Sequence, residues 1–280
     1  MDRRQFILAA AVLAAGCSRK SRPAAAPVTD SAPLGLQLYS VRDLMAEDVA
    51  ATLALVADAG YGEVEFAGYF DIAPADIRRL VADAGLTAPS AHIGYGEFQD
   101  DVSRVIDHAA AVGHEFVVIP SMPEDKRATL DDYRRQAVNF NRWGEACAAA
   151  GLRFGYHNHE FEFAEIDGVL PYDVLLSETD PERVEMELDL AWACAGNADA
   201  LAYFKTWPGR FSLWHIKDLD ENGEETDIGD GDVAFESIFA QAERASLEHG
   251  FVERDHPADA RQSIRRNYDA IHALWMKHMA

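Results

Sequence analysis

The sequence predicts an α/β protein: a single-domain (β/α)8 barrel of the TIM type. Three observations predict it. From residue 34 onward, short β-type runs alternate with helical runs until eight strands have been counted over about 245 residues. Acidic and histidine side chains collect at the C-terminal ends of those strands, the face on which barrel enzymes build their sites. No GxGxxG or P-loop motif marks the first turn, as a doubly wound nucleotide-binding sheet would require.

The elements follow in order. The expected strands are LGLQLYSV (34–41), EVEFAG (63–68), PSAHIGY (89–95), EFVVIPS (115–121), RFGYHNH (153–159), VEMELDLAW (184–192), FSLWHIKD (211–218) and FVERD (251–255). Between them, apolar residues recur at three- and four-residue spacing. In DVAATLALVADAG (48–60), Val49, Leu53 and Val56 share one stripe and Gly60 is placed to cap the C-terminus. DIRRLVADAG (76–85), WGEACAAAG (143–151) and ASLEHG (245–250) read as helix ends closed by glycine before the next strand. Cys147 and Cys194 fall in segments expected to be buried, where each is a small apolar residue rather than half of a disulfide framework. The acidic stretch DLDENGEETDIGDGD (218–232) lacks EF-hand spacing and reads as a long exposed loop after strand seven.

The chain has 280 residues, is 49% hydrophobic and carries a formal charge of −23. That suffices for one large core. Such an acidic surface repels phosphate backbones and argues against nucleic acid as a partner. It leaves a neutral sugar or a divalent cation open.

The N-terminus reads as targeting rather than fold. Arg3 and Arg4 form a twin-arginine pair ahead of an apolar run of 11 residues, Phe6 to Gly16, too short to span a bilayer. The following LAAGC resembles a bacterial lipoprotein box. By that resemblance Cys17 becomes the lipidated first residue, and Ser18 directs the protein to the outer membrane on the periplasmic side. Residues 1–17 are thus a signal, and residues 18–33, rich in Pro, Ala and Ser, a flexible tether. Any membrane contact then runs through the lipid on Cys17. Twin-arginine export carries folded chains, which suits a protein that acquires a cofactor before export.

Four consecutive strand ends carry the chemistry: HNH on strand five, ELDLAW on six, WHIKD on seven and FVERD on eight. Imidazoles and carboxylates together suit Mn, Fe, Co, Ni or Zn, whereas hard oxygens alone suit Mg or Ca. Burying several uncompensated carboxylates costs on the order of several kcal/mol each, and a divalent cation is the simplest compensation. His92 ends strand three and Glu65 lies on strand two, so both face the same bowl as candidate substrate contacts. Lys217 shares the side of His215 and either meets substrate oxygens or pairs with Asp189 or Asp218. His159 alternates onto the side of His157. Arg254 is expected to pack outward, and Trp192 and Trp214 to fill core or wall the site.

The motifs LGLQLYSVRD, GYHNHEFEF, ELDLAWA, WHIKDLD, GDGDVAFESIF and FVERD together resemble the sugar phosphate isomerase/epimerase superfamily, the xylose isomerase-like barrels. The resemblance covers nearly all of residues 34–275. It implies a divalent metal (Mn, Co, Fe, Ni, Zn or Mg) held by strands five to eight, with Asp189, His215 and Glu253 as ligands. The strand-five ligand falls on His157, with His159 and Glu160 as alternatives. Many members carry a glutamate there that also acts as a base. Here Glu253 and His157 are the catalytic candidates, with Glu65, His92, His159 and Lys217 contacting substrate.

The implied activity is isomerisation or epimerisation of a sugar or keto-sugar through an enediolate. A leaving group one carbon further on turns the same enolisation into elimination, so a lyase or dehydratase acting on a 3-keto sugar or glycoside is the alternative. A non-catalytic carbohydrate-binding barrel is a third reading. The related apurinic endonucleases use more metal ligands and a basic face, which this acidic chain lacks.

Overall fold

The computed structural model describes residues 32–279. The twin-arginine pair, Cys17 and all but the last two residues of the expected tether lie outside them. Eight parallel strands close into a barrel: β1 (Gly35–Gln37), β2 (Glu63–Ala67), β3 (Thr87–His92), β4 (Phe116–Ile119), β5 (Arg153–His157), β6 (Val184–Asp189), β7 (Leu213–Ile216) and β8 (His249–Val252). Gly35 closes the ring by pairing with Glu63 on one side and Phe251 on the other. Closure leaves no strand edge for another chain to extend.

Strand alternation divides the core in two. Outward residues such as Val64, Phe66, Val117, Phe154, Met186, Trp214 and Val252 pack against the helices in one large cluster. Phe116, Val118, Leu213 and Phe251 form a second cluster that plugs the bore. Two glycines make room for it. A Cβ on Gly35 would sit 2.4 Å from the Phe251 ring, and one on Gly155 would sit 3.0 Å from Val118.

Below the plug the floor is charged. Arg153, the first residue of β5, pairs with Glu185 and Glu248 at 2.6 Å each and with Glu115 at 3.0 Å, its guanidinium stacked on Phe116. His249, the first residue of β8, meets Glu63 at 2.7 Å. Above the plug lies the polar mouth described below.

Several expectations are corrected. The strands end earlier than their apolar runs, because the chain turns into loop or helix once it leaves the barrel wall; β6, for example, passes into the helix Leu190–Ala195, capped by Asp189. Strand eight starts at His249 rather than residue 251, so Gly250 is no helix cap. It lies inside β8, where a Cβ would come within 2.5 Å of Trp275. The preceding helix ends at Ala245, with Ser246 in the left-handed conformation.

Cys194 is exposed, on the outer side of a short helix, while Cys147 is buried as expected. The acidic stretch after β7 is not simply an exposed loop. It holds a small antiparallel hairpin, Asp218–Leu219 with Glu225–Thr226, and the buried Asp218 carboxylate gathers the N–H groups of Leu219, Gly229, Gly231 and Val233. Arg254 turns back to Asp227 rather than to solvent. Among the described residues no helix is long and apolar enough to cross a membrane.

Candidate active site

His157 ends β5, Asp189 ends β6, His215 sits within β7 and Glu253 follows β8. All four are buried, and one ligand atom from each lies within 4.8 Å of the others. Local structure fixes how each atom points. The Nδ1 of His157 lies 3.0 Å from the Pro120 carbonyl, which only accepts, so Nδ1 donates there and Nε2 is the ring atom turned to the cluster. That Nε2 is buried without a hydrogen-bond partner and faces Asp189 Oδ2 at 3.4 Å.

Asp189 spends Oδ1 on the Trp192 N–H, 2.8 Å away, as N-cap of the following helix. Its Oδ2 has no hydrogen-bond partner, although Lys217 Nζ stands 3.3 Å off as an ion pair. Asn158 pins the Asp189 backbone, accepting its N–H at 3.1 Å. The Nδ1 of His215 lies 2.8 Å from Glu253, while its Nε2 lies 2.7 Å from Glu65. A metal-binding histidine characteristically donates its other N–H to a carboxylate or a backbone carbonyl; His157 has the Pro120 carbonyl and His215 a glutamate. Two buried, unpartnered acceptor atoms facing each other, inside a mixed N/O set, fit a divalent transition metal.

The cluster demands positive charge. Burial opposes protonation of His215, but Glu187 and Glu253 more than offset it and hold its pKa well above the usual value. Burial likewise works against the Lys217 ammonium, yet Asp189, Glu253, Asp255 and Glu225 keep it firmly charged. Lys217 lies 2.9 Å from Glu253 and 3.0 Å from Asp255. Of its two expected carboxylate partners it therefore meets Asp189 and not Asp218. Asp255, pushed by burial and then by Glu253, titrates at about 8.

Glu65 is fully buried rather than an exposed strand-end acid. It receives the Gln37 amide at 2.7 Å and the Ser90 hydroxyl at 2.6 Å. His92 reaches Glu187 at 2.5 Å and stacks on His215. His159 has left the strand but stays beside His157 at 5.1 Å between ring centres, with its Nδ1 unpartnered. Glu160 is exposed on the next turn and belongs to neither group of close ligand atoms. Trp214 belongs to the core, stacked on Phe204, whereas Trp192 is half-buried with Lys217 over its ring.

Sequence reasoning missed Glu187, Glu162, Asp255 and Glu225. Glu187 had a signal, since it lies two residues before Asp189 and so faces the same side of β6. Glu162 did not. It stands three residues beyond the last strand-five histidine, where it accepts the Tyr156 hydroxyl and the His159 N–H.

The fold and the mouth define a class, a (β/α)8 barrel with a candidate metal centre of two histidines and two carboxylates. The chain belongs to the xylose isomerase-like TIM barrel family, which it matches over residues 53–271. It is 29% identical to a sugar phosphate isomerase/epimerase from Parabacteroides distasonis ATCC 8503, with a TM-score of 0.78 over 89% of this chain and 96% of that one. The IOLI protein with a binding zinc atom shares the fold at a TM-score of 0.73 and 12% identity, over 89% of this chain and 99% of that one. Inosose dehydratase from Lacticaseibacillus casei is 25% identical over 196 residues, which is 59% of this chain and 65% of that protein. The chain thus spans just under two thirds of the length of that curated relative.

Proposed function

We propose that this protein is a divalent-metal-dependent enzyme that enolises a carbohydrate, an isomerase or epimerase of a sugar or keto-sugar. The observation that carries it is the meeting of His157, Asp189, His215 and Glu253 from four successive strands, with one ligand atom of each within 4.8 Å of the others. The sugar phosphate isomerase/epimerase likeness and the zinc held by the IOLI protein support it.

A metal held by His157, Asp189, His215 and Glu253 would stabilise negative charge developing on substrate oxygens. The chain's own residues do the rest. Glu253 is the candidate base: burial opposes its charge, but Lys217 and His215 keep it ionised, so it can accept a proton from carbon. Lys217, anchored by Asp255, orients that carboxylate. His92, with some of its side chain exposed where Glu65 and Glu187 have none, is placed to meet a substrate hydroxyl. Trp192, His159 and Phe161 supply flat faces for a sugar ring.

One observation favours a second reading within the same chemistry. Strand five ends in His157 rather than a glutamate, and the curated relatives are inosose dehydratases. A histidine there leaves the site one carboxylate short of the pair that a reversible epimerase uses. Export on the twin-arginine signal and lipid anchoring through Cys17 in the periplasm complete the proposal, which palmitate labelling of wild type against Cys17→Ala tests.

The test of activity is solvent deuterium exchange into keto-sugars, followed by NMR. The wild type should exchange one carbon-bound proton, and Glu253→Gln should be about 10²–10⁴-fold slower. Exchange without product loss supports the isomerase reading, and exchange coupled to water loss the dehydratase one. No exchange with any keto-sugar by the metal-loaded protein would leave only carbohydrate binding.

A further inference from the structure

Arg127 stands in the loop between β4 and the helix Leu130–Ala149, on the face where the strands end. Its guanidinium carbon lies 3.6 Å from the centre of the Phe161 ring. Phe161 is stacked on His159 at 5.2 Å and 6°, and His159 on Trp192 at 6.0 Å and 22°. Lys217 Nζ stands 4.9 Å from the Trp192 ring. The flat wall of the mouth therefore has a cation at each end. Lys217 belongs to the ligand cluster, 2.9 Å from Glu253, and His159 lies 5.1 Å from His157. Arg127 ends the wall on the other side, beyond Phe161.

The two end cations differ in their partners. Lys217 is spent on carboxylates, and Arg127 is not. Among the described residues, three arginines are buried or half-buried with no carboxylate in ion-pair contact: Arg42, Arg127 and Arg210. Arg210 donates to the Leu176 and Val184 carbonyls and the Thr179 hydroxyl. Arg42 donates to the Tyr39 and Asp255 carbonyls. Arg127 makes one hydrogen bond, from Nε to the Met122 carbonyl at 3.0 Å. Its two Nη groups, the fork that grips a carboxylate or phosphate, have no acceptor among the described residues. Glu162, whose buried acid feels this charge, spends its oxygens on the Tyr156 hydroxyl and the His159 N–H. A guanidinium pressed on a ring has lost water from one face, so an arriving anion meets an oriented, partly desolvated fork. The chain's charge of −23 repels anions in general, which makes the position of such a cation selective.

We infer that the substrate carries an acid group, which Arg127 binds while the sugar lies along the Phe161–His159–Trp192 wall with its reacting carbons at the ligand cluster. The substrate class is an acid-bearing sugar, such as a hexuronate or keto-uronate, and Arg127 is a specificity-determining residue. A sugar phosphate offers the same anion chemistry, and the test separates the two sources. This class rests on the enolising reading above, which places the sugar at the mouth.

The test is calorimetric binding to the full chain loaded with Zn2+. The panel is D-glucuronate and D-galacturonate, the matching neutral hexoses and the matching hexose 6-phosphates. The wild type should bind at least one acid sugar about 10–100-fold more tightly than its neutral match, the range of a charge-assisted pair. Arg127→Gln should erase that preference and leave hexose affinity unchanged. Arg127→Lys, which keeps the charge without the fork, should retain part of it. Circular dichroism checks that both variants fold. Stronger preference for the uronates assigns the acid group to a carboxylate, and for the phosphates to a phosphoryl group. Equal affinity for acid and neutral sugars, no binding of any acid sugar, or a preference kept by folded Arg127→Gln overturns the inference. The enolising reading fails separately. Deuterium exchange into a neutral keto-sugar, unchanged in Arg127→Gln, leaves that reading standing and overturns this one. Arg127-dependent binding of an acid sugar without exchange does the reverse.

Discussion

His157 Nε2 and Asp189 Oδ2 face each other across 3.4 Å, both buried and neither with a hydrogen-bond partner. With Nδ1 of His157 committed to the Pro120 carbonyl, Nε2 is the ring atom presented to the carboxylate, which Lys217 also approaches at 3.3 Å.

Glu65 supports the mouth from behind by accepting from His215 Nε2. Glu65→Gln should weaken Zn2+ binding at the mouth by about 10–100-fold, the usual effect of losing a carboxylate behind a histidine ligand. Competition against a fluorescent chelator measures it. Unchanged affinity would show that His215 is oriented by its packing alone.

Lys217 balances Asp189 and Glu253 in the metal-free protein. Lys217→Met should destabilise the metal-free chain by about 3–5 kcal/mol, because both buried carboxylates lose the ammonium that balances them. Added Zn2+ should recover most of that loss. Urea denaturation with EDTA and with Zn2+ compares the two, and an equal loss in both would rule out shared charge balance.

Arg153 closes the barrel floor, on the far side of the apolar plug from the mouth. Arg153→Met should cost about 1–3 kcal/mol by taking the guanidinium away from Glu185 and Glu248, yet leave Zn2+ affinity unchanged. Chemical denaturation and metal titration on one preparation separate the effects. A loss of metal affinity would show that the plug transmits strain between the two ends.

Glu162 gives a pH signature. Burial pushes its acid from the ordinary 4.5 up to about 8, against hydrogen bonds from Tyr156 and the His159 N–H. Between those values the folded state holds more proton than the unfolded one. Its contribution to stability is therefore fully present below about pH 4.5 and lost as pH rises through about 8. The slope approaches about 1.4 kcal/mol per pH unit within the window. Glu162→Gln should flatten it, as urea midpoints at pH 5, 6.5 and 8 would show. A slope retained in the variant would move the titration elsewhere.

Much of this was legible in the residues. The count and alternation of strands gave the barrel, because period-two and period-3.6 patterns are local. The four mouth residues were legible because each ends a strand, and closure brings strand ends together. Strand limits were overshot where apolar runs continue into loops and helices, as at LDLAW. Cys194 was misplaced because its short helix turns one side outward, and sequence alone does not show which.

The sequence by itself determined the barrel and the four side chains at its strand ends, since these depend on alternation and on position along a strand. Only the tertiary structure decided that Glu65, His92, Glu187 and His215 form one ring. Their spacing around the bore depends on the register of eight strands closed on one another. It also decided that Lys217 meets four carboxylates and that Glu162 is buried. These are contacts between segments far apart in the chain, or set by a turn whose direction the sequence does not carry. Burial then turns such contacts into chemistry, because a charge removed from water takes its properties from the nearest fixed charge.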